Sequence, residues 1–246
     1  MPSAALIRAE VESRLSSRVP AAFREHARPE MPVIPTGITA LDTEVGGIPC
    51  GAITEVISPG RVSSGHASLQ TRLLAFASKE GFCALVDATD SFDPKSAQAA
   101  GVNLNRMLWV RCRNNGVKSL EQAFKCADLL IQGSSGFGMI VVDVADIAER
   151  LVRKVPLTTW FRFSRVIEKL ETALVFSTPC PVTSTCSALS LPLSPAQVKR
   201  SEITHNGPSH SRLFAGFDFE VEVARKRCFR KPVQSAVPFS AFSKWA

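Results

Sequence analysis

A strand, a glycine-containing turn and a helix follow one another at residues 52–79, and this arrangement constrains the fold most. Residues 52–58 are rich in β-branched side chains and run into Pro59 and Gly60, and a helix is predicted from about Gly65 to Lys79. A turn of this kind between a strand and a helix is where a phosphate-binding loop lies. The candidate nucleotide-contacting residues are therefore Gly60, Ser63, Ser64, Gly65 and His66.

The alternation of strands and helices continues along the chain. Strands are predicted at Phe82–Asp87, Met107–Arg111, 139–143 and 173–177, with helices at about 94–101, 119–132 and 158–172 between them. Apolar strands of this length suit a parallel sheet covered on both faces. Residues 217–224 instead alternate apolar and polar side chains, which predicts an antiparallel strand. The predicted fold class is α/β: a mostly parallel sheet with helices on both faces and antiparallel strands toward the C-terminus.

The composition points to a basic protein without a metal framework. The formal net charge of +7 favours polyanionic partners, nucleic acid first, although a merely basic protein is the alternative. The 7 cysteines include no C-x2-C spacing, so we expect neither a disulfide framework nor a structural zinc site. No run of 18 apolar residues occurs, which predicts a cytoplasmic protein with no membrane span.

A series of ordered matches gives the family resemblance. The segments 35–42, 46–51 and 60–69, together with Ile140-Val141-Val142-Asp143, resemble the region around the Walker motifs of RecA recombinases. The resemblance covers roughly residues 35–180 and implies a RecA-like core, in which Asp143 ends the Walker B strand. We therefore divide the chain into an N-terminal helix and arm (1–34), a RecA-like core (35–227) and a basic C-terminal tail (228–246).

Three departures from the family pattern bear on ATP. His66 and Ala67 replace the loop Lys and the Ser or Thr that binds Mg²⁺, and Thr89 takes the position of the glutamate that activates water. Losing one charge-assisted contact costs about 1.5–3 kcal/mol. We expect a protein that is not an enzyme and has no cofactor, with a degenerate nucleotide site at the residues named above and Asp143. Weak ATP binding and an active ATPase are the alternatives.

The resemblance implies a DNA-contacting stretch after the Walker B strand. Basic residues there alternate with Trp160, Phe161 and Phe163, and a second basic cluster follows near the C-terminus. The alternative is a helix with an aromatic core face and a solvated basic face. Thr178 or Pro179 stands where RecA has the Gln that links nucleotide to DNA. The candidate DNA-binding residues are Arg150, Arg153, Lys154, Arg162, Arg165, Arg225, Lys226 and Arg227.

The tail offers a candidate protein-binding surface. Phe239, Phe242 and Trp245 are spaced three residues apart, which suits one face of a helix docking on a partner, or on the protein's own core.

The degenerate loop and the basic C-terminus resemble the ImuA group of RecA relatives. That resemblance implies a non-hydrolysing accessory protein in bacterial translesion synthesis and the DNA-damage response. Such a protein would be associated with the nucleoid, and its partners would be a translesion polymerase, DNA and RecA-like chains. The alternatives are a DNA-dependent ATPase or recombinase, and a regulator that binds another RecA-fold protein.

Overall fold

The computed structural model describes residues 31–59, 64–112, 116–133, 136–195, 197–200, 214–226 and 236–242, without the side chains of residues 214, 215, 241 and 242. The chain divides into the units Met1–Glu30 and Met31–Ala246, so everything described belongs to the second unit. The helix predicted in the N-terminal segment 1–34 lies outside the described residues, which include only residues 31–34 of that segment.

Strands and helices alternate through most of the described chain. The strands are β1 (Val33–Ile34), β2 (Ile48–Pro49), β3 (Ile53–Ile57), β4 (Phe82–Asp87), β5 (Met107–Arg111), β6 (Phe137–Asp143), β7 (Ala173–Thr178), β8 (Ser187–Pro192), β9 (Gln197–Arg200), β10 (Phe214–Glu222), β11 (Arg225–Lys226) and β12 (Ala236–Phe242). The helices are α1 (Thr39–Val45), α2 (His66–Glu80), α3 (Pro94–Ala99), α4 (Val117–Gln132), α5 (Glu149–Val152) and α6 (Leu157–Ile167).

A seven-stranded sheet forms the centre of the domain, in the order β11-β8-β3-β7-β6-β4-β5. The six strands from β8 to β5 are parallel, and β11 pairs antiparallel with β8. Every residue of β3 and β7 is buried, as expected for parallel strands covered on both faces. This sheet confirms the predicted fold class.

Two apolar clusters cover the two faces of this sheet. Leu69, Leu73 and Leu74 of α2 pack in one cluster, with α1 and parts of the C-terminal strands. Helices α4 and α6 pack in the other, where the rings of Phe124, Trp160, Phe163 and Phe176 meet edge to face or tilted. Trp160 and Phe163 are 0% and 1% exposed, so these two aromatic residues belong to the core.

A second sheet of three antiparallel strands, in the order β12-β10-β9, lies C-terminal to the parallel strands. β10 confirms the antiparallel strand predicted near 217–224. The prediction of a helix in the tail is wrong. Ala236–Phe242 is a strand, and all seven of its residues pair with β10. Alternation explains the difference: in Ala236–Phe242, Val237 is buried and Phe239 half-buried, whereas Pro238 and Ser240 are exposed.

One helix is shorter than expected. Helix α6 ends at Ile167 rather than near residue 172, because the chain must reverse direction before β7 begins at Ala173.

None of the described helices is both long and apolar enough to cross a membrane.

Candidate nucleotide site

The candidate site lies at the carboxyl end of β3, where the sheet topology changes direction. β7 and β8 flank β3 on opposite sides, and open parallel sheets bind ligands at such a point. Helix α2 begins here at His66, after Gly65 with a φ of 80° and no side-chain cap. Ser64 and Gly65 are buried, whereas Gly60 and Ser63 lie outside the described residues.

A polar network links the predicted site residues to one another. The hydroxyl oxygens of Ser58 and Ser64 are 2.6 Å apart, and the Ser58 hydroxyl is 3.3 Å from Nδ1 of His66. On the other side of the ring, Nε2 of His66 is 4.0 Å from Oδ2 of Asp143. The structure thus places Ser64, His66 and Asp143 near one another and adds Ser58, which sequence reasoning did not single out.

Asp143 ends β6 as a buried carboxylate. Burial raises the pKa of this carboxyl above its ordinary value, while the neighbouring His66 and the hydrogen bond from the Ala145 amide oppose the rise. Asp143 therefore contacts the Ala145 amide and lies near His66. The family resemblance places this residue at the end of the Walker B strand.

The residues present do not fit Mg²⁺–ATP. Ala67, the second residue of α2, has no hydroxyl for the metal ion, and His66 is directed toward Ser58 and Asp143. Ser58 and Ser64 are 3% and 1% exposed, and their hydroxyls are hydrogen-bonded to each other. Nor do any three His, Cys, Asp or Glu side chains of the described chain cluster as a metal site requires.

Thr89 takes the position of the family's water-activating glutamate. The Thr89 hydroxyl donates to Ser91 over 3.2 Å, and a hydroxyl of this kind cannot serve as the base. The next residue, Asp90, adopts a φ of 58° and accepts two hydrogen bonds from Arg111, at 2.5 and 2.7 Å. Arg111 also stacks over Trp109, at 4.5 Å from the ring centroid. Asp90 is therefore engaged away from the phosphate loop.

An aromatic residue from the C-terminal sheet packs directly on the loop. A Cβ added to Gly65 would lie 2.3 Å from the ring of Phe219, which is 3% exposed. The Phe219 ring in turn stacks on Phe239, with centroids 5.0 Å apart. No sequence signal indicates this contact, because residues 65 and 219 are separated by most of the domain.

A buried carboxylate connects β3 to the segment after β7. Glu55 accepts hydrogen bonds from the Val182 and Thr183 amides at 2.8 and 3.1 Å and from the Thr183 hydroxyl at 2.7 Å. The Thr178 hydroxyl donates to the same carboxylate over 3.4 Å. Thr178, one of the two residues predicted at the position of the family's Gln, therefore binds Glu55.

The basic residues of α5, of α6 and of the segment between them divide into two groups. Arg153 is ion-paired with Glu149 at 2.6 Å, and Arg162 with Asp128 at 2.5 Å. The other three are exposed, and within the described chain they have no ion-pair partner: Arg150, Lys154 and Arg165. Of the neighbouring aromatic residues Phe161 is 42% exposed, so it is the one that could stack on a base.

The C-terminal candidates are partly tied to the protein's own backbone. Arg225 donates to the carbonyl oxygen of Ser184, and Lys226 donates to that of Glu44 over 3.0 Å. Burial lowers the pKa of the Lys226 ammonium group. Phe239 is half-buried against Phe219. Arg227, Trp245 and the side chain of Phe242 lie outside the described residues.

A phosphate-loop position at the end of the central strand β3, with the Walker B strand β6 separated from it by β7, defines the class of P-loop α/β proteins. Within that class, the family model of the RecA N-terminal domain matches residues 9–154. The chain therefore belongs to the RecA N-terminal domain family.

Curated relatives agree with this assignment. The chain is 37% identical to protein RecA of Marinobacter nauticus over 122 residues, covering 48% of this chain and 33% of the relative. For protein RecA of Streptomyces ambofaciens the identity is 34% over 138 residues, covering 55% of this chain and 35% of the relative. The match thus spans about a third of the length of these curated relatives.

Proposed function

We propose that this chain is a non-hydrolysing RecA-like accessory protein of the bacterial DNA-damage response, which acts in translesion synthesis by binding a polymerase-type partner and DNA. The observation that carries the proposal is the network of Ser58, Ser64, His66 and Asp143 at the nucleotide site. In that network, the side chains at the phosphate-loop and Walker B positions lie next to one another, and two of the contacts are hydrogen bonds.

The arrangement around Asp90 supports the same proposal. Two losses, of a loop cation and of a metal ligand, weaken nucleotide binding, while the loss of the base removes the step that activates water. Asp90 is the carboxylate that could substitute for this base, and its hydrogen bonds to Arg111 hold it elsewhere. Three groups that hydrolysis uses, the loop cation, the hydroxyl ligand of the metal and the base, are thus absent from positions 66, 67 and 89, although the fold that carries such sites is retained.

The exposed basic residues within and between α5 and α6 support DNA as a partner. Arg150, Lys154 and Arg165 would contact the phosphate backbone, and Phe161 would stack on a base. Contacts of this kind give binding with little sequence preference and strong salt dependence.

The experiment that tests the accessory role is affinity purification of the tagged full-length chain from cells with damaged DNA, followed by identification of the co-purified proteins. Recovery of a translesion polymerase, and its loss from undamaged or untagged controls, is the expected result. Recovery of another RecA-fold protein alone would favour the regulator instead, and would contradict the proposal.

A further inference from the structure

The C-terminal sheet is attached to the carboxyl end of β3, where the phosphate loop begins. The amide of Leu193 donates to the carbonyl oxygen of Ile57, the last residue of β3, over 2.8 Å. Leu193 also pairs with Val221 of β10. The amide of Ser194 donates to the carbonyl oxygen of Glu220, in the same strand, over 2.9 Å. Strand β10 is therefore held next to the strand that leads into the loop.

One aromatic side chain of β10 packs on the loop itself. A Cβ added to Gly65 would clash with three carbon atoms of the Phe219 ring, so the ring lies directly on the Gly65 backbone. Phe219 is 3% exposed, and both Ser64 and Gly65 are buried. Ala67, in the first turn of α2, is exposed. Phe219 therefore covers the end of the phosphate loop but not the whole first turn of the helix.

Strand β12 supports the position of Phe219. The Phe219 ring stacks on Phe239 of β12, with 5.0 Å between the centroids and 32° between the planes. All seven residues of β12 pair with β10. Phe219 and Phe239 both lie outside residues 9–154, the part of the chain that the family model of the RecA N-terminal domain matches. The family assignment therefore does not imply this contact.

Access to Ser64 and Gly65 decides how a phosphate group can bind at this loop. A phosphate loop holds its anion with backbone N–H groups of the loop and of the helix that follows. Gly65 precedes α2 at a φ of 80°, and no side chain caps the helix. A ligand that uses the amides of Ser64 and Gly65 has to displace the Phe219 ring, whereas a ligand that contacts only the first turn of α2 does not.

We propose that the C-terminal sheet is an autoinhibitory cover of the phosphate loop. With Phe219 on Gly65 the loop amides are closed to a phosphate-bearing ligand, and they open when β10 and β12 move away from α2. The apparent affinity for such a ligand is then the affinity of the open loop multiplied by the fraction of molecules that are open. Removing the ring raises that fraction and leaves the sequence of the loop unchanged.

Hydrogen–deuterium exchange of the full-length protein measures access to the loop. In Phe219→Ala, the peptide that contains residues 64–66 should exchange faster than in the unsubstituted protein, because the ring no longer covers it. The matched control is Val221→Ala, which removes a side chain that is 0% exposed from the same strand. In this control the exchange of residues 64–66 should not change.

The effect on ligand binding is measured with ATP by isothermal titration calorimetry. The full-length protein carries His66→Lys and Ala67→Thr in this experiment, so that binding is detectable. Adding Phe219→Ala should lower the dissociation constant roughly tenfold or more, because the loss of one buried aromatic contact shifts an equilibrium between closed and open states by about that factor. Adding Val221→Ala instead should leave the dissociation constant unchanged.

Melting curves are recorded for every variant, and Phe219→Leu, which keeps an apolar side chain in the strand, is used if Phe219→Ala does not fold. Equal exchange of residues 64–66 with and without the ring would overturn the proposal, and so would equal ATP affinity. The same increase in Val221→Ala as in Phe219→Ala would also overturn it, because the change would then reflect a general loss of stability. Both experiments measure access and binding, so their outcomes do not depend on the accessory role proposed above.

Discussion

Removal of residues 236–246 should destabilise the domain, because β12 is part of its C-terminal sheet. This deletion takes away Val237, which is 3% exposed in the core, and Phe239, whose ring stacks on Phe219. Burial of one such side chain contributes about 1.5–3 kcal/mol, so one full and one partial burial contribute about 3 kcal/mol. At 2–4 °C per kcal/mol for a chain of this size, the melting temperature should fall by roughly 6–12 °C.

Differential scanning calorimetry of the full-length and truncated chains measures this change. A matched deletion of residues 243–246 removes Trp245 while leaving β12 in place, and should change melting far less. If the deletion of 236–246 leaves melting unchanged, β12 does not contribute to the fold, and the tail remains available to a partner. That result would refute the reasoning from the β10–β12 pairing.

Three other outcomes follow from the site and the basic surface. The double change His66→Lys and Ala67→Thr should give ATP binding measurable by calorimetry without hydrolysis, since Thr89 remains; undetectable binding would mean that the loop geometry itself has changed. Because burial raises the folded-state pKa of Asp143, ionisation of this carboxyl costs stability above that pKa and costs none below the unfolded-state pKa. Asp143→Asn should therefore raise the melting temperature at neutral pH, and the gain should shrink as the pH is lowered; a gain that grows in acid would contradict the assigned direction. Single-stranded DNA should bind weakly and with little sequence preference in fluorescence anisotropy. Replacing Arg150 and Arg165 by Ala should reduce the slope of log affinity against log salt by roughly 1.4, whereas Arg162→Ala, whose side chain is paired with Asp128, should change it little. Equal effects of the three arginines would argue against this surface.

The parallel sheet could be predicted from the sequence because each of these strands is a short apolar run between two helices. Phe82–Asp87 and Met107–Arg111 have the predicted bounds, because short apolar runs between helices indicate strands of a parallel sheet. Phe82–Asp87 is mostly buried, whereas Met107–Arg111 forms the edge of the sheet and is partly exposed. The tail was predicted less well. Apolar residues three apart fit a helix, but Phe239 also fits the inward side of a strand, and only the pairing with β10 decides between them.

In the candidate site, too, the residues of local motifs could be predicted from the sequence, whereas the contacts between distant segments could not. His66, Ala67 and Thr89 could be located from local motifs, because a phosphate loop is defined by residues close together in the chain. The contact of Phe219 with Gly65 and the hydrogen bonds of Glu55 to residues 182–183 could not, because they join distant segments. Likewise, the sequence placed Trp160 and Phe163 beside basic residues, while burial in the fold assigns both to the core.

The most direct test of the account is a steady-state ATPase assay of the full-length protein with and without single-stranded DNA. The site geometry predicts no DNA-stimulated hydrolysis above background, because His66, Ala67 and Thr89 supply neither the loop cation, nor the metal ligand, nor the base. The matched control is His66→Ala, which should show the same background rate. DNA-stimulated turnover that disappears in His66→Ala would show that His66 supports hydrolysis, and would contradict the account.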